Sequence, residues 1–244
     1  MNPRHGDEPR ARPPQQATRT DPMPSREVSV EVDGAVLTGD LSLSPQAQGV
    51  VLFAHGSGSS RHSPRNREVA RTLNTHGFAT LLIDLLTIAE EQVDARTREL
   101  RFDIPMLTRR LTGAADWLAT STESAELPLG LFGASTGAAA ALGTAAERPK
   151  QVHAVVSRGG RPDLAGEVLP SVTAPVLLIV GSLDEPVIRV NYAATRSLRA
   201  PNRVHVVPGA SHLFEEPGTL EQVTGAAMEW FRAYLQPAGQ HSPV

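Results

Sequence analysis

The residues best suited to chemistry are a serine, an aspartate and a histidine in the second half of the chain. Ser135 sits in Gly133-Ala134-Ser135-Thr136-Gly137, directly after the apolar run Leu129–Phe132 and directly before the small-residue stretch AAAALGTAA. A serine hydroxyl is a poor nucleophile unless it is held out on a tight strand-to-helix turn, and flanking glycines let the strand and the helix approach closely enough to make one. The helix that follows presents its positive end to developing negative charge. Such a nucleophile needs a base, and the base needs an acid to orient it. Asp184 in GSLDEP follows the apolar run Val176–Val180, and His212 in PGASHLFEE follows Val204–Val207. The chain order serine, aspartate, histidine is the one in which this triad is built on an alternating strand and helix frame. The chemistry implied is acyl transfer.

Acyl transfer also requires donors for the oxyanion, usually two backbone N–H groups. Thr136, next to the nucleophile, supplies one. The second is expected from His55-Gly56-Ser57-Gly58 after the run Val50–Ala54, with Ser57 first and Gly58 next; glycines there permit backbone approach. His55 is read as ordering that loop rather than as a base. His153 and His205 fall within strand runs and are given no role. Asp184 has an alternative use as a helix N-cap, for which aspartate is favoured, with Asp163 as the fallback acid. Arg61, Arg158 and Arg161 stand at strand ends, with Arg65 nearby. Guanidinium forks bind carboxylates, so these arginines either contact an anionic substrate or pair with Glu90, Glu91, Asp94 and Asp163.

The elements that must position these groups are short apolar runs separated by helical stretches. The runs are Val50–Ala54, Ala79–Ile83, Leu129–Phe132, Val152–Val156, Val176–Val180 and Val204–Val207. Each is too short for a helix and rich in Val, Leu and Ile, as strands buried on both faces are. Helices are expected around 66–75, 102–119, 136–147, 187–199 and 218–235. Ahead of them Val28, Val30 and Val32 alternate with polar residues, Asp33-Gly34 offers a turn, and Val36 to Leu43 returns, which predicts an antiparallel hairpin. The pattern is α/β: one domain, a mostly parallel sheet and helices on both faces. In such sheets ligands bind beyond the carboxyl ends of the strands, a filter that selects His55-Gly56-Ser57-Gly58, Asp84, Ser135, Ser157-Arg158, Asp184 and the loop holding His212.

Bulk properties restrict the alternatives. A chain of 244 residues with 40% hydrophobic and 20% charged residues fits one globular α/β domain. A net charge of −3 supplies no basic field for nucleic acid. The absence of cysteine rules out disulfides, thiolate metal sites and a cysteine nucleophile. No run approaches the roughly 18 apolar residues of a membrane span, and the proline-rich start lacks the apolar core of a signal peptide, so the expected location is cytoplasmic. GASTGAAAALG also resembles a dinucleotide-binding turn, but it comes after position 130 rather than in a first βαβ unit, and no acidic residue closes the next strand. Fewer than twenty residues link Ser157 to Pro175, so no large lid is expected.

The motifs HGSG at 55–58, GASTG at 133–137, LDEPV at 183–187 and SHLF at 211–214 resemble the α/β-hydrolase superfamily, and most closely its dienelactone-hydrolase-like branch, over residues 27 to 236. The resemblance implies esterase or lactonase-type hydrolysis through an acyl-enzyme, without metal or organic cofactor. Dienelactone hydrolases proper use cysteine where this chain has Ser135, which sets the dienelactone substrate itself apart from the mechanism. The expected activity is cleavage of a small ester, lactone or thioester. A non-catalytic binding protein of the same fold is the alternative from another class. Residues 1–26 read as a disordered Pro/Arg-rich tail, 27–236 as the hydrolase domain and 237–244 as a flexible end.

Overall fold

A computed structural model describes residues 24–235; the two expected tails lie almost wholly outside this range. Strands β1 (Ser25–Val32) and β2 (Ala35–Ser42) form the expected antiparallel hairpin, turning at Asp33-Gly34. β1 starts two residues before the expected domain boundary, because Ser25 and Arg26 already pair with Ser42 and Leu41. β3 (Val50–Ala54), β4 (Ala79–Ile83), β5 (Leu129–Ala134), β6 (Val152–Arg158), β7 (Val176–Gly181) and β8 (Asn202–Val207) complete one eight-stranded sheet in the order β1-β2-β4-β3-β5-β6-β7-β8. β2 meets β4 antiparallel, and every pairing from β4 to β8 is parallel.

The described residues form six α-helices, α1 (Pro64–Thr75), α2 (Ile88–Thr97), α3 (Ile104–Thr120), α4 (Thr136–Glu147), α5 (Glu185–Thr195) and α6 (Thr219–Tyr234), of which all but α2 pack on the sheet. Val155 and Leu131 point to one face, where Leu111 and Leu118 of α3, Ala140 and Leu142 of α4 and Ala194 of α5 pack. Val156 and Phe132 point to the other, against Val69 and Leu73 of α1 and Val223 and Phe231 of α6. β3, β5 and β7 are buried at every position, which is why they read as unbroken apolar runs rather than as alternations. β6 to β7 is bridged by a 3-10 segment, Pro162–Ser171, and no helical lid is inserted there. None of the described helices is long and apolar enough to cross a membrane.

Helix α2 lies where the sequence suggested a loop. It presents no apolar face to the core: Asp94 is its one buried residue, and Ile88 and Val93 are exposed. Its stability comes from its start. Glu90 accepts the Thr87 N–H at 2.8 Å and Thr87 Oγ1 accepts the Glu90 N–H at 3.3 Å, a capping box. The same Glu90 carboxylate receives both Nη groups of buried Arg110 on α3, and Arg110 Nη1 also donates to the Leu85 carbonyl at 2.7 Å. One ion pair thus ties α2 to α3 and to the end of β4.

Between β5 and α4 the packing leaves no room for side chains. A Cβ on Gly133 would lie 2.4 Å from Ala138 Cα, and one on Gly137 would lie 2.4 Å from the carbonyl oxygens of both Ala54 and His55. These neighbours are backbone and cannot swing aside. Gly225 in α6 is the opposite case: it is exposed, and an added Cβ would meet nothing within 4 Å. Gly137→Ala is therefore expected to lower stability by about 3 kcal/mol or more, about 6–12 °C in Tm for a domain of this size. Gly225→Ala is expected to raise Tm by about 1–4 °C, since alanine removes about 0.5–1 kcal/mol of helix cost. Thermal melts of the two variants check both signs.

Hydrogen bonding to Arg110, opposed in part by burial, holds the Glu90 carboxyl down at about 2. A depressed folded-state pKa contributes stability above the unfolded value and loses it as pH falls toward the folded one. Wild type is thus expected to lose stability steadily from about pH 4.5 to pH 2. Glu90→Gln should lower the urea midpoint at pH 7 by the equivalent of about 1–2 kcal/mol and flatten that acid limb. Urea titrations across this pH range measure both.

Candidate active site

Ser135 is the hinge between β5 and α4 and takes the left-handed conformation φ 51°, ψ −118°. That conformation is costly for a residue with a Cβ and persists only where the surroundings impose it. Here its N–H donates to the Arg158 carbonyl at 3.1 Å, and its own carbonyl accepts from Arg161 N–H at 3.1 Å and from Ala138 N–H at 3.1 Å. The turn is thereby bonded to β6 on one side and to α4 on the other. Its side chain projects beside the loop after β3, since a Cβ on Gly56 would come within 3.0 Å of Ser135 Cβ.

Asp184 and His212 meet directly. His212 Nδ1 lies 2.6 Å from Asp184 Oδ2, with the carboxylate side chain 13% exposed and the imidazole 39%. Asp184 precedes α5 at the N-cap position, yet its side chain makes no capping hydrogen bond. The alternative use of this aspartate is not the one the structure shows. The loops after β7 and β8 are held in register by Ser182 N–H to Val207 O at 3.0 Å, Leu183 N–H to Ala210 O at 3.0 Å and Gly209 N–H to Ser182 Oγ at 2.8 Å. Asp163, the fallback acid, is occupied by Arg161 at 2.6 Å. The ring of His212 rests against Gly159, where a Cβ would sit 3.5 Å from both Nδ1 and Cε1. Ser135 and His212 therefore bear on the same short segment, Arg158-Gly159.

The expected oxyanion residues share one cleft. Ser57 and Gly58 line it from one side and Thr136 from the other, in a volume of about 320 Å³. Buried His55 fixes the base of the loop. The Leu85 N–H donates to His55 Nε2 at 3.0 Å, so Nε2 carries no proton, and Nδ1–H donates to the Gly56 carbonyl at 3.0 Å. Burial lowers the His55 pKa, in keeping with this neutral tautomer.

The three strand-end arginines fare differently from one another. Arg61 donates from its backbone to Asp84 Oδ1 at 2.6 Å and places its guanidinium among Asp84, Asp40 and Glu27. Arg161 is bidentate on Asp163. Arg158 is buried, and no carboxylate among the described residues pairs with it. The expected pairing with Glu90 and Asp94 is corrected: Arg110 holds Glu90, and Arg101 holds Asp94, with Nε to Oδ2 at 2.5 Å. Neither choice follows from a helical i,i+3 or i,i+4 spacing, since the pairs lie seven and twenty residues apart. Arg101, Glu91 and Asp94 also line the cleft, with Leu85, Leu86 and Leu107 as its apolar wall. Sequence reasoning passed over that wall, because Leu85 and Leu86 follow β4, Leu107 lies on α3, and only the fold brings them together.

A family model described as the dienelactone hydrolase family matches residues 34–241. The crystal structure of a dienelactone hydrolase from Anabaena variabilis is 57% identical, covers 87% of this chain and 99% of that one, and superposes with a TM-score of 0.86. Est1E from Butyrivibrio proteoclasticus, at 17% identity, covers 85% and 98% with a TM-score of 0.71 and shares the fold. A Mycobacterium tuberculosis protein provisionally named a phosphoribosyl transferase is 53% identical over 214 residues, which are 88% of this chain and 47% of that protein. The chain thus spans about half the length of that relative. With a family model over most of its length and a relative this similar, the chain belongs to the dienelactone hydrolase family.

Proposed function

We propose that the chain hydrolyses a small ester, lactone or thioester through an acyl-enzyme on Ser135. The observation that carries this reading is the 2.6 Å contact between His212 Nδ1 and Asp184 Oδ2, made by an aspartate that forgoes its helix cap. In the proposed reaction Ser135 Oγ attacks the acyl carbon while His212 Nε2 takes the hydroxyl proton. Asp184 holds Nδ1–H, and so the tautomer, and stabilises the imidazolium. The backbone N–H of Thr136 and that of Ser57, with Gly58 next, receive the oxyanion. Collapse expels the alcohol or thiol, which takes the proton from His212. Water, deprotonated by the same histidine, then attacks the acyl-enzyme, releases the carboxylic acid and restores Ser135.

The cleft lined by Ser57, Gly58 and Thr136, next in the chain to Ser135, has a volume of about 320 Å³; taken as the substrate's place it lies at the low end for ligand pockets and supports a compact substrate. Arg61 and Arg161 are engaged by carboxylates of the fold, so we assign them to loop positioning rather than to substrate. Phosphoribosyl transfer is not assigned to this chain. The relative that bears that name is about twice as long, and the matched residues are those of the hydrolase family.

Intact mass after exposure to a fluorophosphonate probe, with turnover of p-nitrophenyl acetate, tests the reading. Wild type is expected to gain one adduct and to turn over the ester; Ser135→Ala should do neither. Asp184→Asn should retain the fold and lose roughly two to four orders of magnitude in kcat, as expected for a misoriented base. A folded wild type with neither adduct nor turnover would transfer the site to a binding role.

A further inference from the structure

Arg158 ends β6 with its side chain on the α1 and α6 face, and it is 7% exposed. Its Nη2 donates to Asn66 Oδ1 at 3.3 Å, and its guanidinium carbon lies 5.9 Å from the centre of the buried Phe214 ring. Its Nε is buried without a partner among the described residues, and so is the Nε of Arg65. Arg65 spends Nη1 on exposed Glu215 at 2.8 Å. Arg61, Arg67, Arg101, Arg110, Arg148 and Arg161 each meet a carboxylate. For Arg158, burial and the like charge of Arg65 bring the pKa down to about 10, so the group stays cationic at neutral pH. Burying an unpaired ion is strongly unfavourable.

Both arginines converge on the start of α1. Pro64 opens the helix, Arg65 and Asn66 fill its first turn, Ser63 caps the Asn66 N–H, and no acidic residue stands there. A helix N-terminus carries a partial positive charge and favours anions. Two guanidinium groups thus meet at a helix start, and among the described residues the one carboxylate that pairs with either of them is Glu215, at the surface.

We propose that Arg158 and Arg65 bind a small oxyanion, a carboxylate or a phosphate, against the first turn of α1. The site is separate from the proposed oxyanion donors, but it touches both arms of the candidate active site. The Arg158 carbonyl receives the Ser135 N–H, and Phe214 lies two residues beyond His212, in a left-handed conformation with φ 56°. A bound anion fixes the Arg158 guanidinium beneath Phe214 and so steadies the loop that carries the histidine.

The test is thermal melting of the full chain in sodium phosphate or sodium acetate, each against sodium chloride at equal ionic strength. It needs no turnover and is independent of the hydrolase reading. Wild type and Ser135→Ala are both expected to show a saturable rise in Tm with at least one of the two anions. Arg158→Met should lose the response, and Arg65→Met should need about tenfold more anion for the same rise, because binding to the native state alone raises stability with ligand concentration. A response to acetate alone assigns a carboxylate, and a response to phosphate alone a phosphate. A wild type that melts identically in all three salts overturns the proposal, as does an Arg158→Met protein that responds like wild type. Should Arg158→Met fail to fold, an unchanged response in Arg65→Met overturns it instead.

Discussion

Helix α4 can start directly beneath the sheet only because Gly133 and Gly137 carry no side chain. Their missing Cβ atoms let the helix backbone lie against β5 and against the carbonyls that end β3. This approach leaves a single residue, Ser135, to turn the chain from strand to helix, and that residue must then take a left-handed conformation. Its strain is held by hydrogen bonds to Arg158 and Arg161. The hydroxyl position, the Thr136 N–H and the side of the cleft formed by α4 all follow from one steric fit. The helix that makes it is almost all small residues, buried throughout except its last two, Ala146 and Glu147, as so close a contact demands.

A second layer of order comes from charge. The strand ends carry arginines whose carboxylates come from distant segments: Asp84, Asp40 and Glu27 around Arg61, and Glu90 for Arg110. These pairs are partly buried, so their value lies less in net stability than in fixing which loop sits where; a partner lost from such a pair leaves a costly unpaired ion. Arg61 fastens the loop after β3 to Asp84 at the end of β4, and Arg110 fastens α2 beside the same end. The cleft is bounded by these two clamps. Arg158 departs from the pattern, and this departure made it informative.

What the sequence made legible is what repeats or what sterics force. Buried parallel strands have no polar face, so β3 and β4 could be delimited to the residue. The glycines of GASTG and the order serine, aspartate, histidine pointed to strand ends that the fold brings together at Asp184 and His212. What stayed hidden depends on partners far away in the chain. Helix α2 buries Asp94 alone, so it has no hydrophobic period; its capping box, Thr87 to Glu90, was its one local mark. The strands β5 and β6 run two residues past their apolar runs, because main-chain pairing continues through Gly133-Ala134 and Ser157-Arg158 where side-chain hydrophobicity has ended. Of the arginine partners, the Arg161 pairing with Asp163 was legible at a separation of two residues, whereas the carboxylates of α2 went to Arg101 and Arg110, which the sequence reading had not considered.

Asp184 shows most clearly how a local rule yields to a site. Aspartate at an N-cap normally accepts a backbone N–H from the first turn, and losing such a cap costs about 0.5–2 kcal/mol. Here Pro186 already removes one donor from that turn, and the side chain leaves the helix uncapped. Its carboxylate turns instead to His212, 28 residues on, at a place where the β7 and β8 loops are bonded to each other by three hydrogen bonds. The stability forgone at the helix is small, and in the proposed reaction the orientation gained for the imidazole is what the base needs. Sequences that specify a fold consistently tend to break their own local preferences at functional positions. The uncapped Asp184 and the left-handed Ser135 are two breaks of local preference, at the ends of two strands of one sheet, and they are the positions to which the proposed reaction assigns the acid and the nucleophile.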